Sequence, residues 1–501
     1  MRSSCLNILT RLEKNRTISV ACFLLCALSI ISCKKKEPEP EPELPPKVYL
    51  TVMRGPGVDG IPATGVFEYD TGMVINYGYR ALEGYINLVS TLDGNKIPDQ
   101  GSFKIKRDQS LKSEAEQKVL WRYNTPGGVY YSIPAIGSDK TIYYTSCFYG
   151  VPGMLHALKP DGTLRWAYSH TSYLFSPVIG NDGNIYVQDY FSKLYSFTPA
   201  GALRWIYDQF SYNHSENVGQ RCPAIGSDGT IYIAGCGLHA VNPVDGSRKW
   251  VTYDPLGAKA SPSIGPDGTI YTVFSQDSVV AVNPDGTAKW SNSFTYPWEM
   301  SFATPAIDNN GVIYFAAEAR YEGTDYSNIY AFSTADGEIL WKYPVEGERF
   351  VRASPVIDPN GNIIIATKAN GMDKLAGVVA LSPSGQKIWS YTIDNVHVTD
   401  DDIYTTPSID NNGLIYFAAE TGFLYVLNPD GTLNYKYELP VGVNWSSPAI
   451  VPEGILYIGG MFGPNYEGSL VAVKITGTGY ATTPWPRFRH DNFNSGRYGF
   501  K

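Results

Sequence analysis

Charged side chains are scarce in this 501-residue sequence, since Asp, Glu, Lys and Arg together account for 18% of it. It has neither the run of about 20 apolar residues that a membrane-spanning helix needs nor a 3.6-residue apolar period, which excludes helical membrane proteins and helical solenoids. The net charge of −8 argues against nucleic acids and anionic lipid surfaces as partners. Aromatic residues are abundant at 13%, including 37 Tyr, which suits a large β-protein.

The motifs of common catalytic and metal sites are also missing. The six His residues are scattered, and His-Glu-x-x-His, Gly-x-Ser-x-Gly and an adjacent Cys pair do not occur. His397 stands close to Asp400, Asp401 and Asp402, where a weak metal or acid–base site and a solvated loop are alternative interpretations. We therefore expect no catalytic residue, no cofactor and no resident metal, so that the protein is not an enzyme.

Residues 1–32 have the pattern of a secretory signal peptide, in which a basic segment precedes a largely apolar run of fourteen residues at 18–31. The end of this segment, Ile30-Ile31-Ser32-Cys33, resembles a bacterial lipobox and implies that Cys33 is lipidated; the alternative is an ordinary signal with a chance Cys. Residues 33–46 contain alternating Pro and Glu and are expected to form an extended tether. The combination resembles lipoproteins of the Bacteroidetes group, which implies an outer-membrane lipoprotein facing the periplasm or the cell surface.

Residues 47–115 do not carry the repeat that follows, and we predict a small Ig-like β-domain with a linker. Short runs of alternating apolar residues, such as Tyr49-Leu-Thr-Val and Val74-Ile-Asn-Tyr, indicate strands. The polar stretch 109–116 is the expected linker.

From residue 116 to residue 501 the sequence repeats one unit eight times. Each copy begins with a Pro-x-Ile core, and successive copies start 39 to 52 residues apart, at Pro134, Pro177, Pro223, Pro262, Pro305, Pro355, Pro407 and Pro448. Asp-Gly and Pro-x-x-Gly turns divide each copy into four short β-rich runs, named strands A to D in chain order. This period predicts an eight-bladed β-propeller; seven blades is the alternative if the last copy is only a cap.

An aromatic residue recurs in strand D. The residues are Trp121, Trp166, Trp205, Trp250, Trp290, Trp341 and Trp389, followed by Tyr435 in the seventh copy. We expect these rings to pack between blades, and a sugar-stacking ladder is the alternative. Trp121 precedes the first copy, so its strand is predicted to complete the eighth blade, with the C-terminal run from Trp485 packed over that seam.

Two further features have alternative interpretations. The sequences Asp308-Asn-Asn-Gly and Asp410-Asn-Asn-Gly contain oxygen ligands that suit Ca²⁺, but they occupy the A–B turn, where Asn, Asp and Gly are favoured for conformational reasons. We prefer the turn interpretation. Cys222 and Cys236 flank one A–B hairpin, so that a disulfide and buried reduced thiols are both open.

The run Trp485-Pro-x-Phe-Arg-x-Asp, followed by Asn-Ser-Gly, resembles the pyrroloquinoline-quinone-like propeller repeat family, as do the Gly-x-x-x-Trp repeats over residues 116–501. The family includes quinoprotein alcohol dehydrogenases and the lipoprotein propeller of the outer-membrane β-barrel assembly machinery, so the resemblance implies a fold without choosing a function. In the dehydrogenases a vicinal Cys pair stacks on the quinone, and Glu, Asn and Asp hold Ca²⁺. This sequence lacks the Cys pair, and the calcium ligands have no recognisable counterparts.

Loop length distinguishes the two faces of the predicted propeller. The A–B and C–D turns are short and uniform, whereas the B–C loops and the D–A crossovers, such as 206–221 and 390–405, vary and are the expected place for a binding site. The residues three before each strand-A Pro should ring the channel mouth there: Tyr131, Leu174, Gln220, Lys259, Phe302, Arg352, Tyr404 and Trp445, with Trp298 as a further anchor. Aromatic rings and cations suit a sugar or an acidic peptide, and the alternative is that the rings only plug the channel.

The sequence thus predicts a cell-envelope lipoprotein, monomeric by itself, that acts as a non-catalytic binding or scaffolding module for a protein or a glycan. A quinoprotein dehydrogenase or a glycan-active enzyme is the alternative.

Overall fold

The computed structural model describes residues 46–497 except 83–84, 130–131, 149–150, 209–220, 253–256, 259, 275–277, 295–302, 322–323, 346–352, 369–375, 394–402, 444–445 and 463–466. All secondary-structure elements within these described residues are β-strands. This part of the chain accordingly contains no helix with the length and apolar character for crossing a membrane.

The first eight strands form two sheets. They are Lys47–Arg54 (β1), Val58–Ile61 (β2), Gly65–Asp70 (β3), Val74–Ala81 (β4), Tyr85–Leu92 (β5), Asn95–Ile97 (β6), Gln100–Lys104 (β7) and Gln109–Gln117 (β8). One sheet has the order β3-β1-β8-β5-β6 and the other the order β2-β4-β7. Leu50, Ile75, Tyr77 and Leu111 meet in one apolar core, because alternate side chains of the strands face inward. The unit is a two-sheet β-structure, and its Ig-like assignment stays a prediction.

The predicted linker at 109–116 is wrong, because these residues belong to β8. This strand is central in its sheet, where it pairs in parallel with β1 and antiparallel with β5. Leu111 and Ser113 are fully buried, and the Ser113 hydroxyl shares a 2.8 Å hydrogen bond with that of Ser90 in β5. A polar strand can be central here because its buried hydroxyl has a partner across the sheet.

After Val119–Thr125 (β9), the described residues form eight sheets of four strands each, which we name blades 1 to 8 in chain order. Blade 1 consists of Ala135–Ile136 (β10), Ile142–Phe148 (β11), Val151–Leu158 (β12) and Leu164–His170 (β13). Blade 2 consists of Val178–Ile179 (β14), Ile185–Gln188 (β15), Leu194–Phe197 (β16) and Leu203–Tyr207 (β17). Blade 3 consists of Ala224–Ile225 (β18), Ile231–Gly235 (β19), Gly237–Val241 (β20) and Arg248–Thr252 (β21). Blade 4 consists of Ser263–Ile264 (β22), Ile270–Phe274 (β23), Ser278–Val282 (β24) and Ala288–Ser293 (β25).

The remaining blades follow the same plan. Blade 5 consists of Ala306–Ile307 (β26), Val312–Tyr321 (β27), Thr324–Ser333 (β28) and Ile339–Pro344 (β29). Blade 6 consists of Val356–Ile357 (β30), Ile363–Thr367 (β31), Gly377–Leu381 (β32) and Lys387–Thr392 (β33). Blade 7 consists of Ser408–Ile409 (β34), Ile415–Ala418 (β35), Phe423–Leu427 (β36) and Leu433–Glu438 (β37). Blade 8 consists of Ala449–Val451 (β38), Ile455–Phe462 (β39), Glu467–Lys474 (β40) and β9.

Strand β9 closes the ring, as predicted. It pairs antiparallel with β40, and Trp121 stands opposite Ala472. At the axis, the Ser446 hydroxyl donates a 2.8 Å hydrogen bond to the Ser132 carbonyl, so the last copy also contacts the first near strand A. The pairing covers an edge of β40 that would otherwise expose unpaired backbone groups.

Candidate functional site

Seven Trp side chains fasten the outer strands of neighbouring blades. Each indole N–H donates a hydrogen bond of 2.8–3.2 Å to a C–D turn carbonyl of the next blade; the acceptors are Pro160, Pro199, Pro243, Pro284, Thr334, Pro383 and Pro429. A glycine lies under each ring: at Gly246, whose φ is 75°, a Cβ would approach the Trp205 ring to 2.6 Å. Each ring is thus packed against the next blade, which favours inter-blade packing over a sugar-stacking ladder.

The A–B turns are held by Asp carboxylates. In blade 3, Asp228 accepts a 2.9 Å hydrogen bond from the Thr230 backbone N–H and a 2.6 Å bond from the Thr230 hydroxyl. In blades 5 and 7, Asp308 and Asp410 each accept two backbone N–H groups and one Tyr hydroxyl. Because both oxygens serve the turn, the structure favours the turn interpretation over a calcium loop. In the described parts of the chain, no group of three His, Cys, Asp or Glu residues could hold a metal ion.

Residues 485–497, which we call the C-terminal segment, cross the channel at its A–B end. Carbonyls of this segment accept hydrogen bonds of 2.7–2.9 Å from the last residue of strand A in six blades; the donors are Ile136, Ile179, Ile225, Ile264, Ile357 and Ile409. The run was predicted to pack over the seam between blades 8 and 1; Asn492 and Phe493 do line a cavity there, but the segment also bonds to blades 2, 3, 4, 6 and 7. Strand A is an edge strand, and its inward N–H groups require acceptors, which the segment supplies around the channel.

Two fully buried arginines belong to this segment. Arg489 donates to the carbonyls of Pro223 and Pro262, which adjoin strand A in blades 3 and 4. Arg487 donates to Asn494 Oδ1 at 3.0 Å, and the Asn494 amide donates in turn to carbonyls near the axis of blades 1 and 2. Burial lowers the pKa of Arg489 to about 10, so the side chain is still cationic at neutral pH. The A–B end of the channel is thus filled by the chain itself.

The opposite face carries the B–C turns and the D–A crossovers, and we call it the loop face. Of the residues predicted to ring the channel there, the structure describes Leu174 and Tyr404, whereas seven lie outside the described residues: Tyr131, Gln220, Lys259, Trp298, Phe302, Arg352 and Trp445. His397 and Asp400–Asp402 lie outside them too. Leu174 is buried in the packing between blades 1 and 2 and is not exposed on the loop face.

Tyr404 is half-buried at the start of blade 7. Its hydroxyl accepts a 2.9 Å hydrogen bond from Lys368 Nζ, and the same ammonium lies 4.9 Å from the centroid of its ring. Lys368 follows strand B of blade 6, so the pair bridges two blades on the loop face. The structure therefore places an aromatic ring and a cation together at this position.

A cavity of 460 Å³ opens on the loop face between blades 1 and 2. Its walls are Val151 and Pro152 of blade 1, residues 171–173 of the crossover, and Tyr190 and Phe191 of the B–C turn of blade 2. The rings of Tyr173 and Tyr190 meet edge to face with centroids 6.0 Å apart, and Phe191 is 55% exposed. Such aromatic walls suit an apolar side chain of a ligand.

A buried hydrogen-bond chain fixes the B–C turn that carries Tyr190 and Phe191. Asp189 accepts the Lys193 backbone N–H at 2.8 Å and the Tyr195 hydroxyl at 3.2 Å. The Tyr195 hydroxyl in turn lies 2.8 Å from His170 Nε2. Burial raises the pKa of Asp189. These hydrogen bonds hold the backbone of the turn that carries Tyr190 and Phe191.

The described residues do not fit the calcium–quinone site of the dehydrogenases. Cys147 lies in β11, Cys222 at the axis of blade 3 and Cys236 in the B–C turn of that blade, and all three are reduced thiols. The structure therefore has no disulfide between Cys222 and Cys236. Burial raises the pKa of Cys147 to about 12 and also raises that of Cys222, so both stay protonated at neutral pH.

A belt of hydroxyl groups around the channel was not predicted. In six copies a Ser or Thr precedes the strand-A Pro. Five of these hydroxyls accept hydrogen bonds of 2.8–3.0 Å from a backbone N–H of the preceding blade; they belong to Ser176, Ser261, Ser354, Thr406 and Ser447. The repeated Ser/Thr-Pro dipeptide is the sequence signal for this belt. Its hydroxyl groups join the strands A of adjacent blades.

Four-stranded sheets arranged around a closed channel define the chain as a β-propeller of pyrroloquinoline-quinone-like repeats. The family model described as outer membrane protein assembly factor BamB matches residues 108–259 and 238–435, and the chain belongs to this family. The resemblance predicted from the repeats is thereby confirmed. None of the curated proteins matches the chain by sequence.

Three solved structures are similar to the chain. BamB from Moraxella catarrhalis is 14% identical with a TM-score of 0.53, and the match covers 72% of this chain and 97% of that one. A europium-containing methanol dehydrogenase is 11% identical with a TM-score of 0.55, covering 72% and 93%. The Dos1 propeller is 8% identical with a TM-score of 0.52, covering 73% and 97%. At such identities the similarity shows the fold and does not assign a function.

Proposed function

We propose that this protein is a lipid-anchored, non-catalytic module of the cell envelope that binds a partner protein on the loop face of its propeller. The observation that carries the proposal is the C-terminal segment, whose carbonyls bond to strand A of six blades. Since the chain fills the A–B end of its own channel, a ligand has access to the channel from the loop face. Loops on a rigid scaffold are where binding sites usually lie.

Membership in a family described as an outer membrane protein assembly factor supports the envelope location. The signal pattern of residues 1–32 and Cys33 at its end fit an anchor on a membrane surface. The Pro/Glu tether at 33–46 then separates the folded part from the lipid.

A protein is favoured over a glycan by the cavity between blades 1 and 2. Its lining is mainly aromatic and aliphatic, from Tyr173, Tyr190, Phe191, Val151 and Pro152, and Thr171 and Ser172 complete it. A sugar also stacks on aromatic rings, but it needs several convergent polar groups for its hydroxyls. An apolar side chain of a protein matches the lining better.

The test is site-specific photo-crosslinking in native envelopes. A photoreactive phenylalanine analogue replaces Phe191, which is 55% exposed on the loop face, or Val244, which is 73% exposed in a C–D turn. We expect one discrete protein adduct from position 191 and none from position 244. Equal crosslinking at both positions, or an adduct that is destroyed by glycan digestion and not by protease, would contradict the proposal.

A separate measurement tests the absence of enzymatic quinone chemistry. The purified protein is mixed with Ca²⁺ and pyrroloquinoline quinone, and bound quinone is measured by absorbance after gel filtration. We expect no stoichiometric retention, because an adjacent Cys pair is missing from the sequence. Stoichiometric quinone would revive the dehydrogenase alternative.

A further inference from the structure

Arg221 is a buried cation that forms no ion pair with any residue in the described portion of the structure. The residue is 9% exposed, it donates from Nη1 to the Ser192 hydroxyl at 2.8 Å, and its Nε has no hydrogen-bond partner. The residue comes two positions before the strand-A Pro of blade 3, where the other seven copies have Ser, Phe, Ala or Thr. Burying a guanidinium without an anion is strongly unfavourable. Because the other copies have no Arg at this position, the repeat does not explain why one is buried here.

Two carboxylates of blade 2, Asp189 and Asp208, have partners within their own blade. Asp189 accepts hydrogen bonds from the Lys193 backbone and the Tyr195 hydroxyl. Asp208 forms a 2.7 Å ion pair with Lys193 Nζ. Burial lowers the pKa of Arg221 to about 10, so the side chain is protonated at neutral pH. Neither Asp189 nor Asp208 forms an ion pair with Arg221, whose described hydrogen bond goes to the Ser192 hydroxyl.

The position of Arg221 links it to the aromatic cavity. Its partner Ser192 directly follows Tyr190 and Phe191, which form one wall of that cavity. The B–C turn of blade 2 therefore contacts an apolar cavity on the side of blade 1 and a buried cation from blade 3. A ligand lying across this turn would contact both the apolar cavity beside Tyr190 and Phe191 and the guanidinium of Arg221, which bonds to the next residue, Ser192.

We propose that the B–C turn of blade 2 binds an acidic peptide segment of the partner protein, with a carboxylate on the Arg221 guanidinium and a neighbouring apolar side chain in the cavity. The proposal rests on the proposed function and specifies the chemistry of its partner. Charge complementarity is the main argument, because a carboxylate would supply the anion that Arg221 lacks among the described residues. A guanidinium can also bind a carboxylate through two parallel hydrogen bonds.

The test compares two fluorescent peptides, acetyl-Gly-Phe-Glu-Phe-Gly-amide and its Gln counterpart, by anisotropy with the full-length protein in detergent. We expect the Glu peptide to bind at least tenfold more tightly than the Gln peptide. Arg221→Met should remove this preference, and Arg221→Lys should retain part of it. Arg165→Met is the matched control, because Arg165 pairs with Asp139 at an A–B turn, away from the loop face. This variant should keep the full preference.

Equal affinity of the two peptides for the wild-type protein, or no binding of either, would overturn the proposal without any variant. A preference that persists in a folded Arg221→Met protein would also overturn it. Crosslinking at position 191 separates this outcome from the proposed function. A protein adduct there without peptide discrimination refutes acidic recognition alone, whereas discrimination without any protein adduct refutes the protein partner.

Discussion

Arg489 donates a hydrogen bond to the carbonyl oxygen of Pro223, which precedes it in the chain by 266 residues. The same guanidinium donates to the carbonyl of Pro262, so one side chain near the C-terminus joins the innermost strands of blades 3 and 4. Both carbonyls are buried at the channel, where an unpaired polar group is costly. The propeller is therefore closed twice, by β9 at its outer edge and by the C-terminal segment at its axis.

The first prediction concerns this arginine. Arg489→Met keeps much of the side-chain volume but leaves two buried carbonyls without donors, which should lower the free energy of unfolding by about 2–4 kcal/mol. Denaturant unfolding followed by Trp fluorescence measures the change. Arg165→Met removes an exposed ion pair with Asp139 and should cost at most about 1 kcal/mol. Equal midpoints for the wild type and Arg489→Met would show that the C-terminal segment does not stabilise the ring.

The second prediction concerns the outer closure. Deleting residues 117–124 removes most of β9, exposes the edge of β40 and eliminates the bond from Trp121 to Pro160. We expect aggregation or the loss of cooperative unfolding, which light scattering and calorimetry detect. Trp121→Phe is the control, since it removes the indole N–H and keeps the strand. A deletion variant that melts as the wild type does would rule out this closure.

The two closures differ in how far the sequence could reveal them. Strand β9 was predictable because Trp121 repeats the pattern of the six later strand-D Trp residues and has no copy of its own before it. The path of the C-terminal segment was not, because it is set by backbone N–H groups of six blades that lie far apart in the chain. No local pattern marks those groups as unpaired.

Local composition also misled in two places. Residues 109–116 look like a linker, yet their Ser113 hydroxyl finds a partner in Ser90 only after the sheet has formed. The repeat position three before the strand-A Pro predicts side chains at the channel mouth, yet Leu174 at that position is buried between blades. Arg221 stands one residue after that repeat position, and its burial without an ion pair among the described residues is visible only in three dimensions.

The third prediction is a pH dependence of stability. His156 and His239 are buried, each with one ring nitrogen lacking a hydrogen-bond partner. Burial lowers the pKa of each to about 4, whereas the unfolded chain titrates near 6.5. The unfolded state thus binds more protons between these values, so stability is full above about pH 6.5 and falls as the pH approaches 4. The loss at pH 5 should be about 2 kcal/mol per histidine.

His156→Phe tests this prediction, because phenylalanine can keep the stacking on Tyr144 without titrating. Unfolding midpoints at pH 7 and pH 5 should differ less in the variant than in the wild type. Burial raises the pKa of Asp189 and Asp410, which opposes the histidine effect, so the comparison between proteins isolates the histidine contribution. An identical pH dependence in both proteins would contradict the buried neutral state of His156.

The fourth prediction concerns the anchor. Cys33→Ala removes the residue that the lipobox pattern marks for lipidation. One myristoyl-length chain binds membranes only marginally, but two acyl chains anchor a protein stably, so the variant should move from the membrane to the soluble fraction. Fractionation in high salt followed by immunoblotting measures the change. If the variant still sediments with membranes under these conditions, the protein is held by something other than lipid on Cys33.

The last prediction tests the residues expected to ring the channel on the loop face. Tyr404 holds the ammonium of Lys368 through its hydroxyl at 2.9 Å and its ring, and Arg352 and Trp445 occupy the same repeat position in other copies. Changing the three to Ala, singly and together, should weaken the protein adduct formed from position 191 while the melting temperature stays nearly constant. Tyr404→Phe is the matched control, because it keeps the ring and removes only the hydroxyl. If melting falls by several degrees and adduct yield follows only the folded fraction, these side chains plug the channel and the partner binds elsewhere on the loop face.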